Sequence, residues 1–216
     1  MNKTVALVNA WGAFEERHPN GSIEDFCRYY LANQKGPQEQ GPIVGGVVPD
    51  IKEGLLMKLI GRISKLNMSY ANLALKDTGL NQIEDFGLLM TIRQEKDPRK
   101  TEVIYSNLFE LSSGTDMLNR LKEKGLIREY ADKEDKRSKR LMLTAKGEKT
   151  VEAAFMRIYK NARMMTSGLS DEDKDLLIEL LKNMEIKFSA LWQQHKGRDF
   201  DEVYEEVMGK EGRKKR

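Results

Sequence analysis

Apolar residues recur three or four positions apart through residues 51–76, at Leu55, Leu59, Ile63, Leu66, Tyr70 and Leu73, and this spacing predicts one long amphipathic helix. Two shorter helical stretches precede it, at 4–17, with Val5, Val8, Trp11 and Phe14 partly periodic, and at 22–31. Between them and the long helix, residues 34–49 turn to Gly, Pro and Gln with few apolar anchors, as a linker does. Asn81 followed by Glu84 predicts the cap of a helix running through Phe86, Leu88, Leu89 and Ile92, which Asp97 and Pro98 stop.

A short helix at 101–108 and another at 112–124 follow, separated only by Phe109, Glu110 and Leu111. Gly125 ends the second, after which 126–130 and 141–144 alternate enough to pair as a hairpin around the charged turn 132–139. Two long helices, 145–165 and 170–196, complete the pattern, Ser170 and Asp173 forming a capping pair for the latter. A short helix at 199–207 and a basic tail close it. The expected fold is mainly α with a small β-hairpin wing (α+β): a winged helix-turn-helix lobe at 80–147 between dimerisation helices at 51–78 and 148–196. A helical extension at 1–34, a linker at 35–50 and the segment 197–216 flank it.

Composition narrows the function. Of 216 residues, 33% are charged and 39% hydrophobic, and no apolar run reaches the roughly 20 residues a membrane span needs, so neither a membrane partner nor a leader is expected and the cytoplasm is the expected compartment. One cysteine, Cys27, and two distant histidines, His18 and His195, give no disulfide or metal-ligand spacing, so no metal or other cofactor is expected. No Gly-rich phosphate loop and no nucleophile with a neighbouring base is present, which speaks against an enzyme. The net charge of +3 is too small to argue for nucleic acid by itself. Its distribution says more: Lys and Arg concentrate at 133–140 and 213–216, Asp and Glu at 171–175 and 199–206.

On the helix at 112–124, Gly114, Met117, Leu118 and Leu121 form an inward stripe, leaving Ser112, Ser113, Thr115, Asp116, Asn119 and Arg120 outward. Short hydroxyls and an amide suit close approach to base edges in a major groove, although any surface helix also has a polar side. The hairpin that follows carries Lys133, Lys136, Arg137, Lys139 and Arg140, which can neutralise phosphates or enter a minor groove, or be a solvated loop balanced by Glu134 and Asp135.

In order and spacing, the stretches 114–126 (GTDMLNRLKEKGL), 128–137 (REYADKEDKR) and 141–147 (LMLTAKG), with long helices either side, resemble the MarR family of bacterial winged helix regulators. The resemblance covers residues 51–194. It implies a homodimer on double-stranded DNA, with Arg137 as the wing's DNA contact, Asp135 holding the wing's shape, and a small aromatic effector in a cleft beside the dimer helices. Tyr70, Phe86, Met90, Phe155 and Met164 are candidates for that cleft, against the plainer reading of core filling. Cys27 invites a redox role, opposed by its position outside the resemblance.

Two departures from the family pattern stand out. Asp116 replaces a basic or neutral polar residue, and either accepts from a cytosine amine or, the favoured expectation, pairs with Arg120 one turn on. Glu110 stands where Ser or Thr usually caps the helix, leaving Ser112 as the substitute. The long helices 51–76 and 170–196 carry more apolar surface than the small lobe can cover, which argues independently for a partner copy. The competing functional class is a winged helix protein-interaction module without sequence-specific DNA binding.

Overall fold

The computed structural model describes residues 2–34 and 51–214, so the expected linker and the last two residues lie outside the described residues. The chain forms two compact units, residues 1–58 and 59–216.

In the first unit, α1 (Lys3–Glu15) starts where the Asn2 side-chain Oδ1 accepts from the Thr4 N–H at 3.0 Å. Helix α2 (Ile23–Gln34) opens on a reciprocal pair: Ser22 Oγ accepts from the Asp25 N–H, and the Asp25 carboxylate accepts from the Ser22 N–H, both at 3.1 Å. Aromatic rings join the helices. Phe26 meets Trp11 edge-on at 5.0 Å, and Phe14 lies 5.5 Å from Phe26 and 5.2 Å from Tyr29, with Phe14 and Phe26 buried. Cys27, beside Phe26, is exposed.

The second unit takes in most of α3 (Lys52–Leu75), then α4 (Ile83–Glu95), α5 (Lys100–Ser106), α6 (Leu111–Glu123), β1 (Ile127–Ala131), β2 (Lys139–Leu143), α7 (Ala145–Met165), α8 (Asp171–His195) and α9 (Phe200–Lys214). The core gathers at the lobe: Leu88, Leu89, Val103, Ile104, Leu118, Leu121, Leu141 and Val151 are fully buried, drawn from α4, α5, α6, β2 and α7. Each contributes about 1.5–3 kcal/mol by leaving water. The strands pair antiparallel, Ile127 opposite Leu143 and Glu129 opposite Leu141, and Arg99 bridges to Arg140 at the hairpin's other edge.

The start of α4 differs from expectation. Gln82, not Asn81, is the cap residue, and it makes no side-chain capping bond. The open Ile83 N–H instead donates to Asn72 Oδ1 of α3 at 2.7 Å, a tertiary acceptor that local spacing cannot reveal. Helix α9 also runs further than expected, to Lys214. Helix α8 buries none of its residues, and Ile178, Leu181, Ile186, Phe188 and Trp192 stand exposed along it.

Candidate nucleic-acid interface

Helices α5 and α6 approach closely because residue 114 is glycine: a Cβ there would lie 2.6 Å from Ile104 Cγ2. The turn between them is longer than expected, occupying 107–110, with α6 beginning at Leu111. Asn107 braces it, its Nδ2 donating to Val103 O at 2.8 Å and Thr91 Oγ1 at 3.0 Å. Leu108 adopts φ 58°, a left-handed conformation unfavourable for a side chain, while that side chain is 61% exposed. Leu108→Gly therefore stabilises the lobe by about 0.5–1 kcal/mol, relief of the left-handed strain outweighing the added freedom of the unfolded chain. Thermal melting checks this, and a lowered Tm would mean that the leucine side chain contributes packing.

Glu110 is the cap residue of α6, but its carboxylate does not cap; it accepts from Lys196 Nζ, just past α8, at 2.7 Å. Ser112 lies inside the first turn and is not the substitute cap. The predicted stripe of Gly114, Met117, Leu118 and Leu121 is buried, while Ser112, Ser113, Asp116, Asn119 and Arg120 are exposed and Thr115 is half-buried. The expected Asp116–Arg120 pair is absent: among the described residues neither side chain has an ionic or hydrogen-bonding partner. Both are solvated, and an exposed pair gains too little to hold two side chains together. A Schellman closure ends α6: Gly125, at φ 70°, donates to Lys122 O at 2.8 Å and Leu126 to Leu121 O at 3.0 Å.

The wing is organised by a residue that sequence reasoning did not select. Asp132, only 2% exposed, accepts from the Glu134 N–H at 2.8 Å, the Asp135 N–H at 3.2 Å, Arg140 Nε at 2.7 Å and Arg99 Nε at 3.2 Å. The Glu134 N–H, followed by that of Asp135 and the two guanidinium groups, holds its carboxyl far below the usual range despite burial. Asp135 has a smaller share, accepting from Ser138 Oγ at 2.7 Å and from the Arg137 N–H at 3.0 Å, with its carboxyl lowered by the Ser138 hydroxyl first. At the hairpin base, Glu129 joins Lys122 at 2.7 Å and Lys100 at 3.2 Å. Arg140, grouped with the wing cations by sequence, also donates through Nη1 to Asp97 O at 2.7 Å, so its guanidinium is held within the lobe. Lys133, Lys136, Arg137 and Lys139 are exposed, with no side-chain partner among the described residues.

The five proposed cleft residues do not converge. Phe86 belongs to the core, whereas Tyr70 and Met164 are about half exposed and outside the groove that holds the other two. Met90 and Phe155 line a groove of about 590 Å³ between α4 and α7, shared with Arg93, Gln94, Glu152 and Met156. The sequence separates these residues poorly because α4 is apolar on several sides and buries Leu88, Leu89 and Ile92 as well.

No protein-family model matches the sequence. Similar solved structures include a mutant MarR from E. coli complexed with operator DNA, at 24% identity and TM-score 0.56, covering 60% of this chain and 92% of that one. The chain has the MarR fold. A MarR family regulator from Rhodococcus shares it at 19% identity and TM-score 0.57, with 63% of this chain and 96% of that one covered. So does BpsR of Bordetella bronchiseptica, whose DNA binding is regulated by 6-hydroxynicotinic acid, at 19% identity and TM-score 0.55 over 60% of this chain and 97% of its own. The MarR fold thus accounts for nearly the whole of those proteins and leaves over a third of this chain additional to it. Among the described residues no helix is long and apolar enough to cross a membrane.

Proposed function

We propose that the chain is a dimeric, sequence-specific DNA-binding transcriptional regulator, with α6 in the major groove and the wing towards the minor groove. The observation that carries this reading is the division of α6 into a buried apolar stripe and an outward face of Ser112, Ser113, Thr115, Asp116, Asn119 and Arg120, beside a wing whose Lys133, Lys136, Arg137 and Lys139 have no side-chain partner among the described residues. Arg140 serves chiefly as the wing's anchor, through Asp132 and Asp97. The exposed apolar residues of α8 support a second copy as the partner that covers them. Ligand responsiveness rests on the α4–α7 groove and on the analogy with BpsR, and a small aromatic effector fits the Met90 and Phe155 lining. This role requires no catalytic group.

Selection of bound duplexes from a random pool, followed by titration of the enriched sequence at two salt concentrations, tests the reading. The expected product is an inverted repeat with half-sites about one helical turn, or about 34–36 Å, apart. A folded dimer that enriches no sequence would instead favour a protein-interaction module. Arg137→Ala weakens binding to all duplexes and reduces the slope of log K against log salt by about 1. Unchanged affinity at low salt would remove Arg137 from the interface.

A further inference from the structure

We infer that Asp116 is a specificity-determining residue by which α6 selects cytosine, an inference that rests on the DNA-reading role proposed above. Asp116 is exposed on the face of α6 that carries Ser112, Thr115, Asn119 and Arg120, opposite the buried stripe. Its carboxylate has no partner among the described residues, not even Arg120 one turn away. Four other carboxylates of the lobe are committed: Glu110 to Lys196, Glu129 to Lys100 and Lys122, Asp132 to Arg99 and Arg140, Asp135 to Ser138. Glu123 and Glu134, like Asp116, have no side-chain partner among the described residues, but Glu123 is the last residue of α6 and Glu134 lies in the wing turn, so neither stands beside Ser112 and Thr115. Asp116 is free of any structural duty that would explain an anion here.

A carboxylate accepts hydrogen bonds and donates none, so phosphates repel it and only base-edge donors can satisfy it. The major groove offers two, the cytosine N4 amine and the adenine N6 amine. The adenine amine lies between two acceptors, its own N7 and O4 of the paired thymine, and these repel a carboxylate from both sides. The cytosine amine has an acceptor on one side only, O6 of the paired guanine, and a C–H on the other. Cytosine is therefore the base that Asp116 accepts best. The residue also works by rejection: facing guanine or thymine it is desolvated without a donor, and facing adenine it meets a donor flanked by two acceptors, both of which are costly. Its charge lowers affinity for DNA in general while raising the ratio of correct to incorrect sites.

Duplex selection run in parallel with the wild-type chain and Asp116→Asn tests this. Asp116 is exposed and its side chain makes no bond among the described residues, so the variant is expected to fold, which its thermal melt checks. The wild type is expected to fix one cytosine per half-site, and Asp116→Asn to relax that position alone. Replacing that cytosine with thymine, which puts the O4 acceptor in place of the amine, weakens wild-type binding roughly tenfold to a hundredfold. The variant loses far less, and it binds non-specific duplex more tightly than the wild type. If both chains enrich the same sequence with the same preference at every position, Asp116 does not read cytosine, while DNA reading by α6 stands. If the folded wild type enriches nothing, both the inference and the reading beneath it fail.

Discussion

Gly147→Ala destabilises the lobe by at least about 3 kcal/mol, because the added methyl group has nowhere to go. A Cβ at residue 147 would lie 2.1 Å from the carbonyl oxygen of Leu126. That atom is backbone and is pinned: it accepts from the Thr144 N–H at 3.0 Å, just beyond the closure of α6. Thr144 holds the same corner with its hydroxyl, donating to Gly125 O at 2.7 Å and accepting from the Gly147 N–H at 3.0 Å. Lys146 Nζ adds a bond to Lys124 O at 2.7 Å. The start of α7 is thereby locked against the end of α6, and an alanine must push these segments apart or distort the first turn of α7. A fall in Tm of about 6–12 °C, followed by circular dichroism, is expected for a chain of this size. DNA affinity should fall with it, since displacing α6 relative to the wing changes which groups meet DNA together. A variant melting within about 2 °C of wild type would mean that the corner yields easily and that the glycine is incidental.

The same corner shows what a sequence can and cannot reveal. Leu143, Thr144 and Gly147 form a local pattern, with the strand end, the cap and the first turn within a few residues, so their order could be recognised without coordinates, whereas the close approach of Gly147 to Leu126 could not. The buried stripe of α6 was legible for a similar reason: helical periodicity carries the pattern and α6 has one apolar side. The first turn of α4 was not, because its acceptor, Asn72, lies on a different helix, 11 residues away. The cleft residues were only partly separable, since periodicity marks a residue as inward without saying whether it meets the core, a groove or an uncovered helix face. Phe86, Phe155 and Tyr70 fell into these three situations in turn.

The wing exposes the sharper limit. Five cations between 133 and 140 look equivalent in sequence, yet Arg140 is bound into the lobe and the other four are not. The difference comes from Asp132, whose partner Arg99 is 33 residues away and gives no local signal. Half of its role was nonetheless written locally. An Asp whose carboxylate accepts from the N–H groups two and three residues on is a common turn device, and Asp132 has Glu134 and Asp135 at those positions. Asp135 has the same spacing, with the Arg137 N–H and the Ser138 hydroxyl two and three residues on, so local sequence does not rank the two; burial and the distant Arg99 do.

Asp132→Asn tests that assignment. The substitution keeps one oxygen for the Glu134 and Asp135 N–H groups but sets a neutral amide against Arg99 and Arg140, leaving two guanidinium groups without their anion. The wing should loosen and Tm at neutral pH should fall by roughly 5–15 °C. Acidity then separates the electrostatic contribution from simple loss of shape. The carboxyl is held below its ordinary value in the folded chain, so its contribution is complete above the unfolded pKa, about 3.9, and declines as pH falls from there towards the lower folded value. Other carboxylates titrate in both proteins, so the difference between them isolates Asp132: the gap in Tm is constant from pH 7 to about 5 and narrows below about pH 4. A gap that persists unchanged at pH 3 would assign the loss to turn geometry rather than to the ion pairs. A loosened wing also scatters Lys133, Lys136 and Arg137, so the variant should lose affinity for duplex DNA although no residue proposed to touch phosphate has changed.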